Sequence, residues 1–297
     1  MLHMINPKTL VLFGAATLVA VTSAHAQSTQ SASSSPSVLK DLVVTANALD
    51  EEKPDGANGE PSWVQNRRFS NTRIYIQQDP WEVGFEQWYR LRTYDAGRVT
   101  QRSQTEFEIG LPYRMQLDIY ENRLLDNTIG GWQQEEVAFE LRYALAEWGK
   151  LWGNPTLYLE YSVAHDGGDA LEPKILLGDD FGNGWHWGTN LICERVLWGD
   201  RTTEWAVSGG ISKTIVDSVL SVGIEGQWSH ITDEKSEGLL GPSIQWRPTE
   251  NSHLDFVALA GLTDSSPHAE CWLIYGFDIG KGAKASKGYK PTSTGGL

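Results

Sequence analysis

Residues 81–94 read Trp-Glu-Val-Gly-Phe-Glu-Gln-Trp-Tyr-Arg-Leu-Arg-Thr-Tyr. One face reads Val83, Phe85, Tyr89 and Leu91, and the other carries all four charges, Glu82, Glu86, Arg90 and Arg92. Successive side chains of a β-strand point to opposite faces, so this stretch predicts a strand with one apolar and one charged face. In a soluble sheet the apolar face would be the core, whereas in a membrane barrel it would face lipid and the charged face would line the lumen.

The same period of two recurs from about residue 81 to residue 280. Alternating segments lie near 81–94, 98–109, 113–122, 132–146, 155–164, 169–179, 185–198, 203–213, 217–229, 238–247, 252–262 and 268–280. Their lengths favour a membrane barrel, whose strands need about 9–11 residues, over globular strands of about 5–6. Short breaks containing Gly, Asp and Asn predict hairpins between sequence neighbours. The predicted fold is all-β, an up-and-down antiparallel transmembrane β-barrel of about twelve strands.

The N-terminal part of the chain is typical of an exported precursor. Lys8 precedes an apolar run over 10–21, and Ala24-His25-Ala26 fits a small-x-small cleavage site, so we expect cleavage near Ala26. A Ser-rich stretch and then an acidic, Gly- and Pro-rich stretch follow, which predicts disorder. The expected organisation is a signal peptide, a disordered periplasmic N-terminal arm, the β-barrel and a flexible C-terminal tail, over residues 1–26, 27–70, 71–280 and 281–297.

Composition narrows the possible partners. The formal net charge of −14 argues against nucleic acid. No segment after the signal peptide reaches the roughly 20 apolar residues of a spanning helix. The mature chain is therefore expected in the cell outer membrane of a Gram-negative-type cell, with membrane lipid and small solutes as its partners. The 13 Trp and 10 Tyr suit the aromatic girdles of such a barrel.

The charged face supplies the candidate functional residues. We expect the following to line the lumen: Glu82, Glu86, Arg90, Arg92, Arg102, Glu106, Glu108, Asp118, Glu140, Arg142, Glu160, Glu172, Lys174, Glu194, Glu204, Glu225, Arg247, Asp255 and Glu270. Acidic groups outnumber basic ones in this set. They predict either ion-pair ladders that close a narrow barrel or a charged filter that favours cations.

Two other kinds of protein fit parts of the pattern. A secreted soluble β-sandwich shows the same alternation, and could bind carbohydrate by stacking sugars on Trp81, Trp88, Trp185 and Trp187. An enzyme is not expected. Glu106 and Glu108, two residues apart on one strand face, have the spacing of an acid–base pair, but fit equally well as lumen carboxylates paired with Arg90 or Arg102. The scattered histidines predict no metal site, and no cofactor is expected.

Residues 81–280 resemble the small outer-membrane barrels of the transporter or phenol-degradation-pathway (MetA-pathway) type. The resemblance is carried by the strand-turn-strand unit over 106–118, by Gly241-Pro242, and by the closing Tyr-Gly-Phe-Asp-Ile-Gly of 275–280. It implies an outer-membrane location and the passage of small hydrophobic or organic solutes.

A second resemblance is local. Residues 39–46, Leu-Lys-Asp-Leu-Val-Val-Thr-Ala, are similar to the TonB box of TonB-dependent receptors, an extended segment that pairs with a periplasmic partner. The resemblance implies a TonB-like periplasmic protein that would bind Leu42, Val43, Val44, Thr45 and Ala46. The chain has no room for the large plug and wide barrel of those receptors, so alternatives are a chance β-prone run or a segment that enters the lumen.

Overall fold

The computed structural model describes residues 49–279, and these form a closed antiparallel barrel of twelve strands. Each strand pairs with its sequence neighbours, and β1 pairs with β12 to close the ring. The strands are β1 (Val83–Thr93), β2 (Val99–Leu111), β3 (Met115–Asp126), β4 (Trp132–Ala144), β5 (Thr156–Ala164), β6 (Ala170–Gly182), β7 (Trp185–Val196), β8 (Thr203–Val216), β9 (Leu220–Ile231), β10 (Glu237–Thr249), β11 (Ser252–Gly261) and β12 (Ala269–Ile279). The predicted up-and-down barrel is confirmed, and the two-sheet sandwich is not the fold.

The barrel has two rims, and each carries its own set of connections between strands. The N-terminal rim, where β1 begins and β12 ends, also carries the connections over 112–114, 145–155, 183–184, 217–219 and 250–251. The far rim carries the connections over 94–98, 127–131, 165–169, 197–202, 232–236 and 262–268. A short 3-10 helix, Asp95–Gly97, lies in the first of these far-rim connections.

Burial in the barrel wall is the reverse of that in a soluble protein. The exposed strand positions are largely apolar, including Phe139, Leu157, Val207, Ile224, Phe256 and Leu273, each roughly half exposed. The buried positions between them are largely polar or charged: Glu86, Glu106, Gln116, Asp118, Glu140, Arg142, Asn190, Ser208, Glu225 and Asp255. Water-soluble proteins almost never bury many charges while exposing an apolar belt, whereas a barrel in lipid must expose such a belt.

The polar interior is not empty. Residues 50–79, which we name the lumen segment, precede β1 and contain a 3-10 helix at Asp50–Glu52 and a one-turn α-helix, α1, at Ser62–Gln65. The segment contacts inward-facing side chains of strands all round the ring. Partners include Gln116 on β3, Asn190 on β7, Glu225 on β9 and Asp278 on β12. It therefore lies inside the barrel.

An apolar cluster fixes the lumen segment to the wall. Its members are Trp63, Val64, Phe69, Ile74, Tyr75, Ile76 and Ala144, all buried, with Trp148 packed against them. The wall provides room by having glycine at inward positions. A Cβ on Gly178 would lie 2.4 Å from Ile74 Cγ2, and one on Gly210 would lie 2.7 Å from Phe69 Cδ1. Glycine at these two positions therefore shapes the wall to the segment.

The expected domain boundaries differ from the structure in one respect. The disordered arm was expected over 27–70 and the barrel from 71, but residues 49–70 have defined contacts inside the lumen and β1 begins at Val83. A composition rich in Gly, Pro and charged residues predicts disorder, because such a stretch cannot form a core of its own. Here the barrel wall provides the packing and hydrogen-bond partners that the stretch does not find among its neighbours in sequence. Residues 1–48 and 280–297, with the expected signal peptide, TonB-box-like segment and tail, lie outside the described residues. Within 49–279 no helix has the length and hydrophobicity needed to cross a bilayer.

Candidate functional site

The lumen segment enters at the N-terminal rim, reaches about the middle of the barrel and returns. At the rim, the Asp50 amide donates to Asp217 Oδ2 at 2.7 Å, in the connection between β8 and β9. The turning point is anchored by the Ser70 and Asn71 amides, which donate to Glu225 Oε2 at 3.0 and 2.9 Å. On the way back, the Trp81 amide donates to the Gly110 carbonyl at 2.8 Å. The half of the lumen next to the N-terminal rim is thus filled.

Arg73 is the central cation of the filled half. Its Nη2 lies 2.7 Å from Glu106 Oε1, and its Nη1 lies 3.7 Å from both Glu86 Oε2 and Glu108 Oε1. All three carboxylates are on the adjacent strands β1 and β2 and are nearly inaccessible to solvent. Buried carboxylates repel one another, and removing them from water costs free energy unless a nearby cation offsets their negative charge. Arg73 supplies that charge, and it comes from the lumen segment instead of the wall.

A second buried ion-pair group lies within the wall. Arg142 on β4 pairs with Asp118 on β3 at 2.7 Å and also with Glu140, and its Nη1 donates to Gln77 Oε1 of the lumen segment at 2.6 Å. All of these side chains are buried. Buried pairs with several hydrogen bonds are geometrically demanding, so this group fixes the position of the returning segment as well as the wall.

Two further arginines of the lumen segment form buried ion pairs, one with the wall and one within the segment. Arg67 pairs with Glu86, and its guanidinium carbon lies 4.0 Å from the centre of the Trp88 ring. Glu86 also receives the Trp88 indole N–H at 2.8 Å and lies 3.2 Å from His253 Nε2. Arg68 instead pairs at 2.8 Å with Glu51, within the segment itself.

The half of the lumen next to the far rim contains a cavity of about 490 Å³, which we name the vestibule. Ser70, Asn71 and Arg73 of the lumen segment form part of its lining, which places the turning point of the segment at its floor. Charged and uncharged polar side chains line most of the rest, together with the aromatic residues Trp88, Tyr120, Tyr158 and Trp272. A solute that enters from the far rim would therefore meet the segment at mid-barrel.

The vestibule has opposed basic and acidic walls. Arg90 on β1 and Arg102 on β2 are register partners, whereas Glu194 on β7 and Glu204 on β8 are register partners. These two strand pairs are six strands apart in a ring of twelve, so they face each other across the lumen. Arg102 also pairs with Glu135 at 2.5 Å, and Arg90 lies over the Trp272 ring at 5.1 Å. Opposed charges of this kind produce a field across the pore.

The strand pairing of the wall is interrupted beside two prolines, at Pro242 between β10 and β11 and at Pro173 between β6 and β7. β6 and β7 pair at Leu171 and again at Lys174 but not at Glu172 and Pro173, because proline has no N–H to donate. An apolar groove of about 880 Å³ covers this place on the outer face. Its lining combines outward side chains such as Leu159 and Leu191 with Tyr158 and Lys174, which also line the vestibule.

The structure places the predicted lumen residues at inward positions of the strands, with one exception. Buried or half-buried on the inward faces are Glu86, Arg90, Arg92, Arg102, Glu106, Glu108, Asp118, Glu140, Arg142, Glu160, Glu172, Lys174, Glu194, Glu204, Glu225, Arg247, Asp255 and Glu270. Glu82 lies just before β1 and accepts a hydrogen bond from the Asp79 amide at 3.1 Å.

The expected partners of Glu106 and Glu108 differ from those observed. The sequence suggested Arg90 or Arg102, but the cation beside both carboxylates is Arg73. Arg67, Arg68 and Arg73 are absent from the predicted site residues, because Arg67 and Arg68 lie in the stretch expected to be disordered (27–70) and Arg73 precedes the first predicted long strand. The signal that could have found them is the apolar, β-prone run Ile74-Tyr75-Ile76 directly after three arginines within seven residues.

Comparison with known proteins supports the fold. No protein-family model and no curated protein matches the chain. Among solved structures, an outer-membrane channel from Pseudomonas putida F1 is similar at 11% identity and a TM-score of 0.52, over 71% of this chain and 100% of that one. The NanC porin gives 14% identity and a TM-score of 0.48, over 65% and 97%. At these identities, and with only the first score above 0.5, the likeness to the Pseudomonas channel shows that this chain has the fold of an outer-membrane barrel.

Proposed function

We propose that the protein is an outer-membrane channel for small solutes, closed toward the periplasm by its own lumen segment. The single observation that carries this proposal is the reversed burial of the barrel, with an apolar outside and a charged inside. Only helices and closed barrels satisfy all their backbone hydrogen bonds in lipid, and this barrel is closed by the β1–β12 pairing. The similarity to a Pseudomonas outer-membrane channel agrees with this location.

The N-terminal rim is assigned to the periplasmic side. In bacterial barrels both chain ends lie at the periplasmic side, and the lumen segment enters from that rim. The vestibule would then open outward, and its acidic and basic walls would favour cations and polarise solutes that carry both charges. Passage through the barrel would require the lumen segment to shift or leave, because it fills the periplasmic half.

The first test is location and assembly. The mature chain is expressed, outer membranes are isolated, and boiled and unboiled samples are compared on a denaturing gel. We expect a heat-modifiable band in the outer-membrane fraction, followed in planar bilayers by conductance that is mostly closed. A soluble periplasmic protein with no mobility shift would contradict the proposal.

A second route is favoured by the apolar groove that covers the interrupted pairing at Pro173. Apolar solutes dissolved in the outer leaflet could reach the vestibule through the groove between β6 and β7, in line with the organic solutes implied by the family resemblance. Replacing Pro173 with Val restores a ladder donor and is expected to slow uptake of apolar solutes while leaving ion conductance unchanged. Pro155→Val, in a connection at the N-terminal rim, serves as the control. Equal uptake by both variants and the native protein would remove this route.

Residues 42–46 remain a proposed binding segment for a TonB-like periplasmic protein. The test is binding of the native chain and of a chain lacking 39–46 to a TonB-like C-terminal domain. Binding by the native chain alone would support coupling, and the absence of binding by both would exclude it.

A further inference from the structure

One tryptophan of the wall is flanked by two guanidinium groups of the lumen segment. Arg67 lies 4.0 Å from the centre of the Trp88 ring and Arg73 lies 5.0 Å from it. Trp88 itself is held in place because its indole N–H donates to Glu86 Oε2 at 2.8 Å. A fixed indole face is the strongest aromatic partner for organic cations.

The carboxylates around this indole exceed the cations of the wall. Glu86, Glu106, Glu108, Asp118 and Glu140 are all buried, and carboxylate oxygens within each of two triads, Glu86–Glu106–Glu108 and Glu106–Asp118–Glu140, lie within 4.8 Å of one another. The cations that the wall places near them are Arg142, His253 and Lys174, of which His253 is shared with Asp255 at 3.1 Å and Lys174 with Glu172 at 2.6 Å. The lumen segment contributes the remaining positive charge through Arg67 and Arg73. Without the segment, the wall would hold a strongly cation-attracting site.

The fit between Arg73 and this site is incomplete. Nη1 of Arg73 and Oε1 of Glu108 are both buried without a hydrogen-bond partner, and they face each other at 3.7 Å, beyond hydrogen-bond length. A buried charged group that lacks its hydrogen bonds loses much of the compensation for its desolvation. A free cation, which can adjust its position, can satisfy groups that a tethered one leaves unpaired.

The same site is accessible from the vestibule. Arg73, Trp88 and Glu140 are all part of the vestibule lining. A cation that enters from the far rim therefore reaches the indole and Glu140 first, and it must displace Arg73 to reach Glu86, Glu106 and Glu108, which lie outside the vestibule lining.

We propose that Trp88 with Glu86, Glu106 and Glu108 forms a binding site for organic cations of the guanidinium or alkylammonium class, and that Arg73, beside Arg67, occupies its Glu106 and Glu108 side when the channel is closed. This proposal rests on the proposed channel function, since it names the solute class that would compete with the lumen segment. An indole face combined with carboxylates recognises planar or alkylated cations, whereas a small divalent ion would use the oxygens alone.

The test is chemical rescue of the empty site. Arg73→Ala and Arg73→Gln proteins are purified in detergent, and their thermal unfolding midpoints are measured against guanidinium, with urea as a neutral molecule of the same shape. Guanidinium is expected to raise the midpoint saturably in both variants, with half-saturation at about 1–10 mM, the range expected for so small a ligand. The native protein should respond less because Arg73 fills the site.

Matched controls separate the site from general salt effects. Arg98→Ala removes a half-exposed arginine of the far rim that pairs with Asp126, and should behave as the native protein does. Adding Glu106→Gln or Trp88→Leu to the Arg73 variants should abolish the saturable response. Equal shifts in all proteins, no shift in either Arg73 variant, or a larger effect of Ca²⁺ than of guanidinium would overturn the proposal. The unfolding midpoint is measured without ion flow, so the proposed binding site can be supported or overturned even if the barrel does not conduct.

Discussion

The two halves of the lumen are built from the same strands but differ in what balances their charges. Near the N-terminal rim, buried carboxylates such as Glu106 are paired with arginines of the lumen segment, and apolar side chains pack between them. Near the far rim, Glu194 and Glu204 line the vestibule, and no residue of the lumen segment from 74 to 79 is part of that lining. The first half behaves like a protein core with polar walls, and the second behaves like a binding cavity. The difference shows that residues 50–79, and not the strands, fill the half next to the N-terminal rim, so in the proposed channel closure would be a property of the lumen segment.

Loss of the main apolar anchor is expected to have the largest effect. Trp63 is fully buried, stacks on His186 with ring centres 4.2 Å apart, and meets Trp148 edge-on. Trp63→Ala should weaken docking of the lumen segment by about 3–5 kcal/mol, typical of a large buried aromatic. Trypsin cleavage at Arg67 and Arg68 should then become fast in detergent. Trp152→Ala, which removes an exposed tryptophan, is the control, and equal protection in both would contradict the account.

Overfilling the wall should have the next largest effect. Gly178→Ala places a methyl group 2.4 Å from Ile74 Cγ2, so the segment must shift, at a cost of about 1–3 kcal/mol. We expect partial loss of trypsin protection with an unchanged heat-modifiable barrel. Ala260→Val, at an exposed position on β11, should change neither property. If the barrel failed to assemble in Gly178→Ala but not in Ala260→Val, assembly of the wall would depend on docking of the lumen segment.

The closed state should also depend on pH. Burial raises the pKa of the Glu60 carboxyl to about 7 from 4.5, and the charge of Asp79 acts in the same direction. The docked segment therefore holds a proton that the released segment gives up. Docking is strongest below about pH 4.5 and weakens as the pH rises to about 7, after which it is constant. Open probability should rise over that window in the native channel and stay flat in Glu60→Gln, and parallel profiles would refute this role.

The smallest effect is expected in the vestibule. Glu194→Gln and Glu204→Gln remove acidic groups that face solvent, so stability should change by about 0.5 kcal/mol or less. Cation preference should fall, as measured by the reversal potential in a salt gradient. Arg90→Gln and Arg102→Gln, which remove basic groups, should raise the cation preference. If all four variants keep the native reversal potential, the vestibule charges do not select ions.

The sequence was sufficient to predict the wall but not its contents. Alternation over 81–280 predicts strand number, pairing order and facing, because a period of two has a single structural interpretation once many strands repeat it. The lumen segment has no such period. Trp63, Phe69 and Arg73 are ordered by contacts with residues more than thirty positions away, such as Glu106 and Gly210. Short-range composition therefore suggested disorder up to residue 70, although long-range contacts order the chain from residue 49 onward. The two arginines that flank Trp88 became visible only after the strands were closed into a ring.

The most direct test of the account is a disulfide between the lumen segment and the wall. Thr72 Oγ1 lies 3.1 Å from Ser208 Oγ on β8, so the double variant Thr72→Cys, Ser208→Cys can be cross-linked in a background where Cys193 and Cys271 are replaced by alanine. We expect the bond to form in intact outer membranes, to keep the channel closed when oxidised, and to permit opening when reduced, while Thr72→Cys alone shows no redox effect. Absence of the cross-link in a correctly assembled barrel would contradict the central claim that residues 50–79 occupy the lumen.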